Sequence, residues 1–570
     1  MKLREQWNTG TWPRVLLAFA VNAAFLLVML TCFAPMWETN DDLFISKFVD
    51  GQLSRKTAYV PFINICLGWL LKTVYSVLGD GFNWYSAAQY LLLFLGFTAI
   101  TWTLLRSYRP GPALVMTAVL LFAFGTDCYL SMNFSKPAAL GTVGGMCLML
   151  EAMRGGGRTK KAPLALGMIL ALAGYVWRFE EFGVCAMLTA AGCLALLFER
   201  GAKNRAFPLG ERLRQYLRVI APFVLLAILA AGLFAVDLIV WRRPEADGFR
   251  EFNDTRSLFL DFQTPDYAQM PEAYDAAGMD ENFVYMMKKW SFYDKEKFNM
   301  ENLRALIAAR DELVARRTPG ECLGVFLNEC LMGFTRDRPF WGFAVLLAIW
   351  LACGKRGAGT WVSLAYLFGM FGLIYLVMIW SDRYLANRVD VGLFLAMAAV
   401  LGMQMDETRL RAEKLLLTAL LLVSLFISYR TNRAYCYLDS HNRIEDKSAE
   451  KTAVARLLED DEHLYLVKVW AIDHQLYSPL ETPPPLYAEK LLLLGGWSMG
   501  HPSIEAVLDD WGIENPFPEL VNREDVYLID HNIKRTIAYL RAYYYPKAAA
   551  ELIQPLSRET GYKIYRVTAK

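Results

Sequence analysis

Residues 15–42 read VLLAFAVNAAFLLVMLTCFAPMWETNDD, a 22-residue apolar run from Val15 to Met36 that ends against the carboxylates Glu38, Asp41 and Asp42. A run of that length matches the roughly 20 helical residues needed to cross a bilayer core. Lys2, Arg4 and Arg14 precede it, and no small-residue cleavage site follows. It therefore reads as a retained anchor whose N-terminal end is inside and whose acidic end is outside.

The pattern repeats. Further apolar stretches lie near 58–78, 84–105, 112–131, 135–153, 162–177, 181–198, 219–241, 338–353, 360–380, 389–404 and 412–429. The 570-residue chain is 55% apolar, 14% aromatic and only 20% charged, a balance that suits a lipid solvent. The stretch 58–78 stands apart because it holds Pro61, Asn64 and Lys72. Loop charge decides whether it crosses. If it does not, the short inside segments collect Arg106 and Arg109, the bases between Arg154 and Lys161, those between Arg200 and Arg218, Lys355 and Arg356, and Arg409, Arg411 and Lys414. The short outside connections after it then keep only Lys136, Arg178, Arg383 and Arg388, as the positive-inside rule requires.

The expected fold is a polytopic α-helical membrane protein of about 11 spans, N-terminus in and C-terminus out. Residues 58–78 then lie on the outer leaflet as a surface helix or re-entrant pair, within a first outer loop of residues 37–83. Residues 242–336 form an outer insert and 1–429 the membrane domain. The tail, 430–570, alternates β-rich runs (His463–Trp470, Asp525–Asp530, Tyr562–Val567) with the helical Ile533–Tyr544, and reads as a small extracytoplasmic α/β domain.

Several chemistries lack support. Net charge is +2, so no basic field draws nucleic acid. Most of the ten cysteines lie in apolar runs, where they behave as small hydrophobes. Cys322 and Cys330, if helical, are about 12 Å apart along the axis, beyond disulfide reach. The five histidines all fall in the tail without metal spacing, and there is no Gly-rich phosphate loop. Gly141, Gly144 and Gly145 lie inside a span as packing residues.

Polar groups gather where a lipid head group would sit: Glu38, Asn40, Asp41 and Asp42 after the first span, Asp127 and Lys136 at the next outer turn, then Arg178 and Glu180, then Arg383 and Arg388. Each ionisable group at membrane depth costs roughly 2.5–3.5 kcal/mol on insertion scales, so such groups pair or line a polar cavity. Glu38 to Asp42 reads either as a solvated, helix-capping loop start or as a reactive cluster. In the second case one carboxylate takes a proton from an acceptor hydroxyl while cations neutralise a departing phosphate. Arg383 and Arg388 are the stronger phosphate candidates, because a guanidinium fork matches phosphate. Lys136 and Arg178 read as further phosphate ligands or as snorkelling side chains. Asp127 and Glu180 read as further acids of the substrate site or as ion-pair partners.

With these residues in place, the chain resembles the integral-membrane glycosyltransferases of the C-type superfamily (GT-C), which carry an acidic motif and membrane-surface helices in a long first outer loop. Asn40-Asp41-Asp42 followed by Ala58 to Leu78 carries the likeness. It is also similar to bacterial membrane proteins of surface-polysaccharide loci, through Thr39-Asn40-Asp41-Asp42, Asn83-Trp84-Tyr85, Glu251-Phe252-Asn253-Asp254-Thr255-Arg256 and Pro265-Asp266-Tyr267. The resemblance implies an undecaprenyl- or similar polyprenyl-phosphate sugar donor, inversion at the anomeric carbon, and a glycan or other cell-envelope acceptor outside the plasma membrane. It implies Asp41 as base and Asp42 as the residue that orients it or binds substrate. Metal dependence stays open: a divalent ion is allowed, but no acidic pair recurs in the second outer loop, where Asp127 stands alone.

Two other classes compete. A lipid-linked polysaccharide transporter or flippase would also have many spans, but should show repeats and broken helices near the midplane, and neither is evident. A non-catalytic assembly scaffold would tolerate loss of Asp41.

Overall fold

The computed structural model describes residues 11–569 except 54, 155–159, 204–207, 262–263, 314–316, 334–337, 382–386, 433–448, 483, 485–486 and 557–560. Among them, six helices are long and apolar enough to cross a membrane: Trp12–Cys32, Trp84–Ser107, Pro110–Leu130, Phe179–Gly201, Leu209–Trp241 and Ala358–Trp380. Ile65–Leu78, Lys161–Trp177 and Pro339–Cys353 are shorter apolar helices. Ser135–Arg154, Asn387–Gly402 and Lys414–Asn432 are helical as well.

Ser135–Arg154 is the pivot of the helical part, buried on nearly every face. Its glycines explain how. A Cβ on Gly145 would come 2.4 Å from the Gly167 carbonyl oxygen, and one on Gly144 would come 2.7 Å from that of Gly96. Small residues let the backbones of Trp84–Ser107 and Lys161–Trp177 close on this helix from two sides, where van der Waals packing has to replace the hydrophobic effect.

Two expectations change at the first outer loop. The opening helix stops at Cys32, just before Pro35, and Met36–Trp37 is a strand, β1, paired in parallel with β2, Ser131–Met132. In place of a helix over 58–78, or a re-entrant pair, residues 58–64 are irregular and one helix begins at Ile65. Asn64 sets that start by accepting from the Cys66 amide at 3.0 Å. Asp237, at the end of the long helix Leu209–Trp241, accepts the Ile65 amide at 2.8 Å and fixes the helix Ile65–Leu78 to the bundle.

The tail holds a five-stranded sheet ordered β4-β3-β5-β7-β6: β3 (Leu464–Val467), β4 (Leu491–Leu493) and β5 (Val526–Asp530) run parallel, while β6 (Ala548–Pro555) and β7 (Lys563–Ala569) add an antiparallel edge. All four residues of β3 are buried, as expected of a central parallel strand covered on both faces. Strands β4 and β6 lie outside the β-rich runs read from the sequence.

Among the described residues, the insert 242–336 holds the helices Asp247–Leu260, Pro271–Ala276, Glu281–Lys288, Met300–Leu313 and Pro319–Asn328. It packs against the tail. The Phe292 amide donates to the Leu494 carbonyl at 2.9 Å, and buried Asp294 accepts from the hydroxyls of Tyr539 and Tyr544 and from Asn515. Cys322 and Cys330 lie in consecutive helical segments, Pro319–Asn328 and Glu329–Gly333, and are free thiols.

Candidate functional site

Strand β1 delivers the acidic cluster. Its parallel partner β2 and the following Asn133 hold it there: the Glu38 amide donates to the Met132 carbonyl at 2.9 Å, and Asn133 Nδ2 reaches Thr39 Oγ1 at 3.3 Å and Asp42 Oδ2 at 3.2 Å. The chain then turns into the helix Asn40–Asp50, which places Asp41 and Asp42 in its first turn, where the helix dipole favours negative charge.

The two neighbouring aspartates have opposite surroundings. Asp42 is fully buried, with Oδ1 accepting from Tyr85 Oη at 2.8 Å and Gln89 Nε2 at 2.7 Å, and Oδ2 from Asn133. Burial pushes its pKa up to about 7; the Tyr85 and Gln89 hydrogen bonds pull it down, and the Asp41 charge adds to the rise. Asp41 remains partly open. Its Oδ1 accepts from the indole of Trp497 at 3.0 Å, and Oδ2 accepts from Thr39 Oγ1 at 3.2 Å and lies 3.7 Å from Arg388 Nη1. The Nε of Arg388 is buried and without a hydrogen-bond partner among the described residues.

Beside this pair lies a second, closed charge cluster. Lys136 is 1% exposed and its ammonium sits 2.8 Å from Glu38 Oε2, 2.7 Å from Asp127 Oδ2 and 2.6 Å from the Ser131 carbonyl. Asp127 comes directly after a π-helical turn, Leu121–Gly125, that interrupts the helix carrying it. Lys136, expected at the donor phosphate, is thus enclosed by two carboxylates, as a cation buried this fully has to be paired. Asp127 and Glu38, expected at the substrate, are its partners.

The remaining expected residues spread around these clusters. Arg178 donates to the Ser135 hydroxyl, lies 5.0 Å over the Phe134 ring and has Glu180 3.7 Å from its Nε. Glu180 itself is largely exposed. Asn40 lines a small cavity of about 30 Å³ between its helix and the tail, with Phe44, Trp470 and His474 on the walls. Arg383 lies outside the described residues. Among the described residues no group of three or more His, Cys, Asp or Glu side chains is placed to hold a metal ion.

Five contributors went unread in the sequence. Trp497 comes from the β4-to-helix loop of the tail, Gly495-Gly496-Trp497-Ser498-Met499-Gly500-His501, whose three glycines all have positive φ. Gly495 has to be glycine in any case, because a Cβ there would meet the Trp290 carbonyl oxygen at 2.0 Å. The loop leaves the C-terminal end of a parallel strand, the usual place for functional groups in open α/β sheets. His501 closes it. Fully buried against Phe48 and Phe249, its Nδ1 accepts from the Ser503 amide while Nε2 donates to the Tyr59 carbonyl at 2.7 Å. Burial lowers its pKa to about 4 and keeps it neutral.

Gln89 and Asn133, the amides that hold Asp42, carried no signal beyond their place at the ends of apolar runs. Arg256 belonged to one of the quoted fragments but had no role. It is 1% exposed, bonded to Asn253 and, at 3.1 Å, to Asp261, with its guanidinium 5.3 Å over Trp290. The Asp261 carboxylate it holds lies within electrostatic reach of Asp41 and Arg388. The insert therefore joins the first loop and the tail at the same place.

Such an arrangement leaves one carboxylate reachable beside a guanidinium whose Nε has no hydrogen-bond partner among the described residues. No protein-family model and no curated protein matches the chain. Among the solved structures that resemble it are two crystal structures of ArnT from Cupriavidus metallidurans, one bound to undecaprenyl phosphate (TM-score 0.38, 12% identity) and one in the apo state (TM-score 0.41, 14% identity), each aligned over 97% of both chains. At those scores the likeness carries no argument about activity, which has to come from the site.

Proposed function

We propose that the protein is an inverting glycosyltransferase that moves a sugar from a polyprenyl-phosphate donor to an extracytoplasmic glycan or other cell-surface acceptor. It would sit in the plasma membrane with 11 spans and its site facing out, the topology in which inside loops hold the basic residues. One observation carries the reading: adjacent carboxylates are sorted into a buried, triply hydrogen-bonded Asp42 and a half-open Asp41 beside Arg388.

Asp41 Oδ2 removes the proton from the acceptor hydroxyl as that oxygen attacks the anomeric carbon. The bond from that carbon to the donor phosphate breaks, and the electron pair leaves on the lipid phosphate. Arg388 supports the charge that gathers there, through donors its 3.7 Å contact with Asp41 does not use. Asp42 fixes the first helical turn and thereby the direction of Asp41.

The test is sugar transfer by the purified protein in lipid nanodiscs, offered a panel of polyprenyl-phosphate sugars and glycan acceptors, beside Asp41→Asn. Turnover that disappears in the variant while folding and insertion persist supports the reading. Unchanged turnover in Asp41→Asn removes Asp41 from the mechanism, and absence of turnover with every donor refutes the transferase.

A further inference from the structure

Phe62 is an anomaly in the first outer loop. It is a bulky side chain with a left-handed backbone, φ +73°, directly after Pro61. Aromatic residues avoid that region, and those held there concentrate at ligand clamps and active sites. The strain does not bury the ring: the residue stays 38% exposed. It places the ring beside two aromatics of the site, stacked on Phe134 at 5.8 Å and 22° and edge-on to Trp497 at 5.1 Å. Both neighbours are nearly buried and both are already engaged, Phe134 beneath the Arg178 guanidinium and Trp497 through its indole N–H on Asp41. Phe62 is thus the member of the trio with ring surface still available.

We infer that Phe62, backed by Phe134 and Trp497, is a stacking platform for the ring of a sugar beside Asp41. The proposal rests on the transferase reading and names what that site holds. A pyranose has an apolar face made of C–H bonds and a rim of hydroxyls, and binding sites commonly pair an aromatic surface with a few placed polar groups. Here the aromatic surface is Phe62, and the polar groups are the Asp41 carboxylate and the Arg388 guanidinium. Trp497 has a distinct part as a positioning residue. Its 3.0 Å hydrogen bond holds Oδ1, so proton transfer falls to Oδ2, where Thr39 donates at 3.2 Å and Arg388 stands at 3.7 Å.

The sugar can belong to the donor or to the acceptor, since both offer the same face. A lipid-anchoring role for Phe62 is the alternative, and it would need neither the strained backbone nor the contact with Trp497.

The experiment begins with binding alone. Methyl glycopyranosides are added to the protein in nanodiscs, and saturation-transfer NMR records which sugar protons receive magnetisation. The platform predicts transfer to the C–H protons of one ring face. It also predicts affinity at least ~5-fold weaker in Phe62→Ala and Phe62→Leu, and wild-type affinity in Phe62→Trp. Equal binding by Phe62→Leu and wild type, or no pyranoside binding by the wild type, overturns the platform. Neither result bears on the transferase, which stands or falls with turnover in Asp41→Asn.

Once a donor and acceptor pair is in hand, Phe62→Ala should raise KM for the partner whose ring it holds and leave the other KM and kcat unchanged. That split assigns the source. Trp497→Phe keeps a ring but loses the N–H, so kcat should fall with both KM values steady; equal effects of Trp497→Phe on all three would overturn its positioning role.

Discussion

Two charge clusters meet at the segment 38–42, one around Lys136 and one around Asp41, and they differ in what remains available. Around Lys136 the ammonium is 1% exposed and sits within 2.8 Å of Glu38 and Asp127. Around Asp41 the contacts are looser: Arg388 stands 3.7 Å away with its Nε buried and unbonded among the described residues. Both clusters bring acids and bases together beside helix ends. A gathering of charge in the sequence therefore says little about function, whereas unused hydrogen-bonding capacity says more.

Swapping the insults separates the clusters most sharply. Asp41→Asn should keep the fold and lower turnover by about 10²–10⁴, the usual share of general base catalysis. Lys136→Met should do the reverse. It leaves two acids facing each other in a nearly dry site, a loss on the order of 3–5 kcal/mol, read as a lower melting temperature and poorer recovery from the membrane. If Lys136→Met melts like the wild type but has lost donor affinity, the closed cluster is the phosphate site and the comparison fails. Arg388→Gln comes next. A hydrogen bond to a charged group is worth about 1.5–3 kcal/mol, so donor KM should rise by roughly 10- to 100-fold; an unchanged donor KM would leave Arg388 as a partner of Asp41 alone.

How much of this could be read beforehand follows from what each feature depends on. The helices announce themselves because lipid demands long apolar runs, and the acidic cluster because charge directly after such a run is costly. The division of labour between Asp41 and Asp42 was not legible as geometry, since it depends on Tyr85, Gln89 and Asn133 arriving from other helices and turns. Trp497 was less legible still. It is 456 positions from Asp41, and only its glycine-rich loop distinguishes it from the many aromatics expected at a membrane interface. Lys136 is the reverse case: its position suggested a phosphate ligand, and its pairing with Glu38 and Asp127 is met only in three dimensions.

A milder change tests the wall between the clusters. Gln89 lowers the Asp42 pKa by donating to Oδ1, so Gln89→Leu should raise it above about 7. If ionised Asp42 is what fixes Asp41, the acid limb of the pH–activity profile moves to higher pH in this variant while the plateau rate changes little. An unmoved limb would mean that Asp42 acts by shape and not by charge.

The smallest effect concerns how the tail is held over the open cluster, and here the signs oppose. Asp42 and Asp50 are both raised to about 7 by burial, so the folded state binds protons more tightly than the unfolded one between about 4 and 7. Their contribution is present at low pH and is lost as pH rises through that window. His501 is depressed from 6.5 to about 4, so its contribution is present above 6.5 and is lost as pH falls toward 4. Each fully titrating group contributes a slope of about 1.4 kcal/mol per pH unit, and the slope of His501 opposes those of Asp42 and Asp50. His501→Gln removes the opposing slope, so melting temperatures should drop more steeply, or rise less, between pH 4.5 and 6.5 than in the wild type. A slope equal to that of the wild type would mean that His501 is not buried against Phe48 when the protein melts, and that the loop carrying Trp497 leaves Asp41 before the rest of the fold gives way.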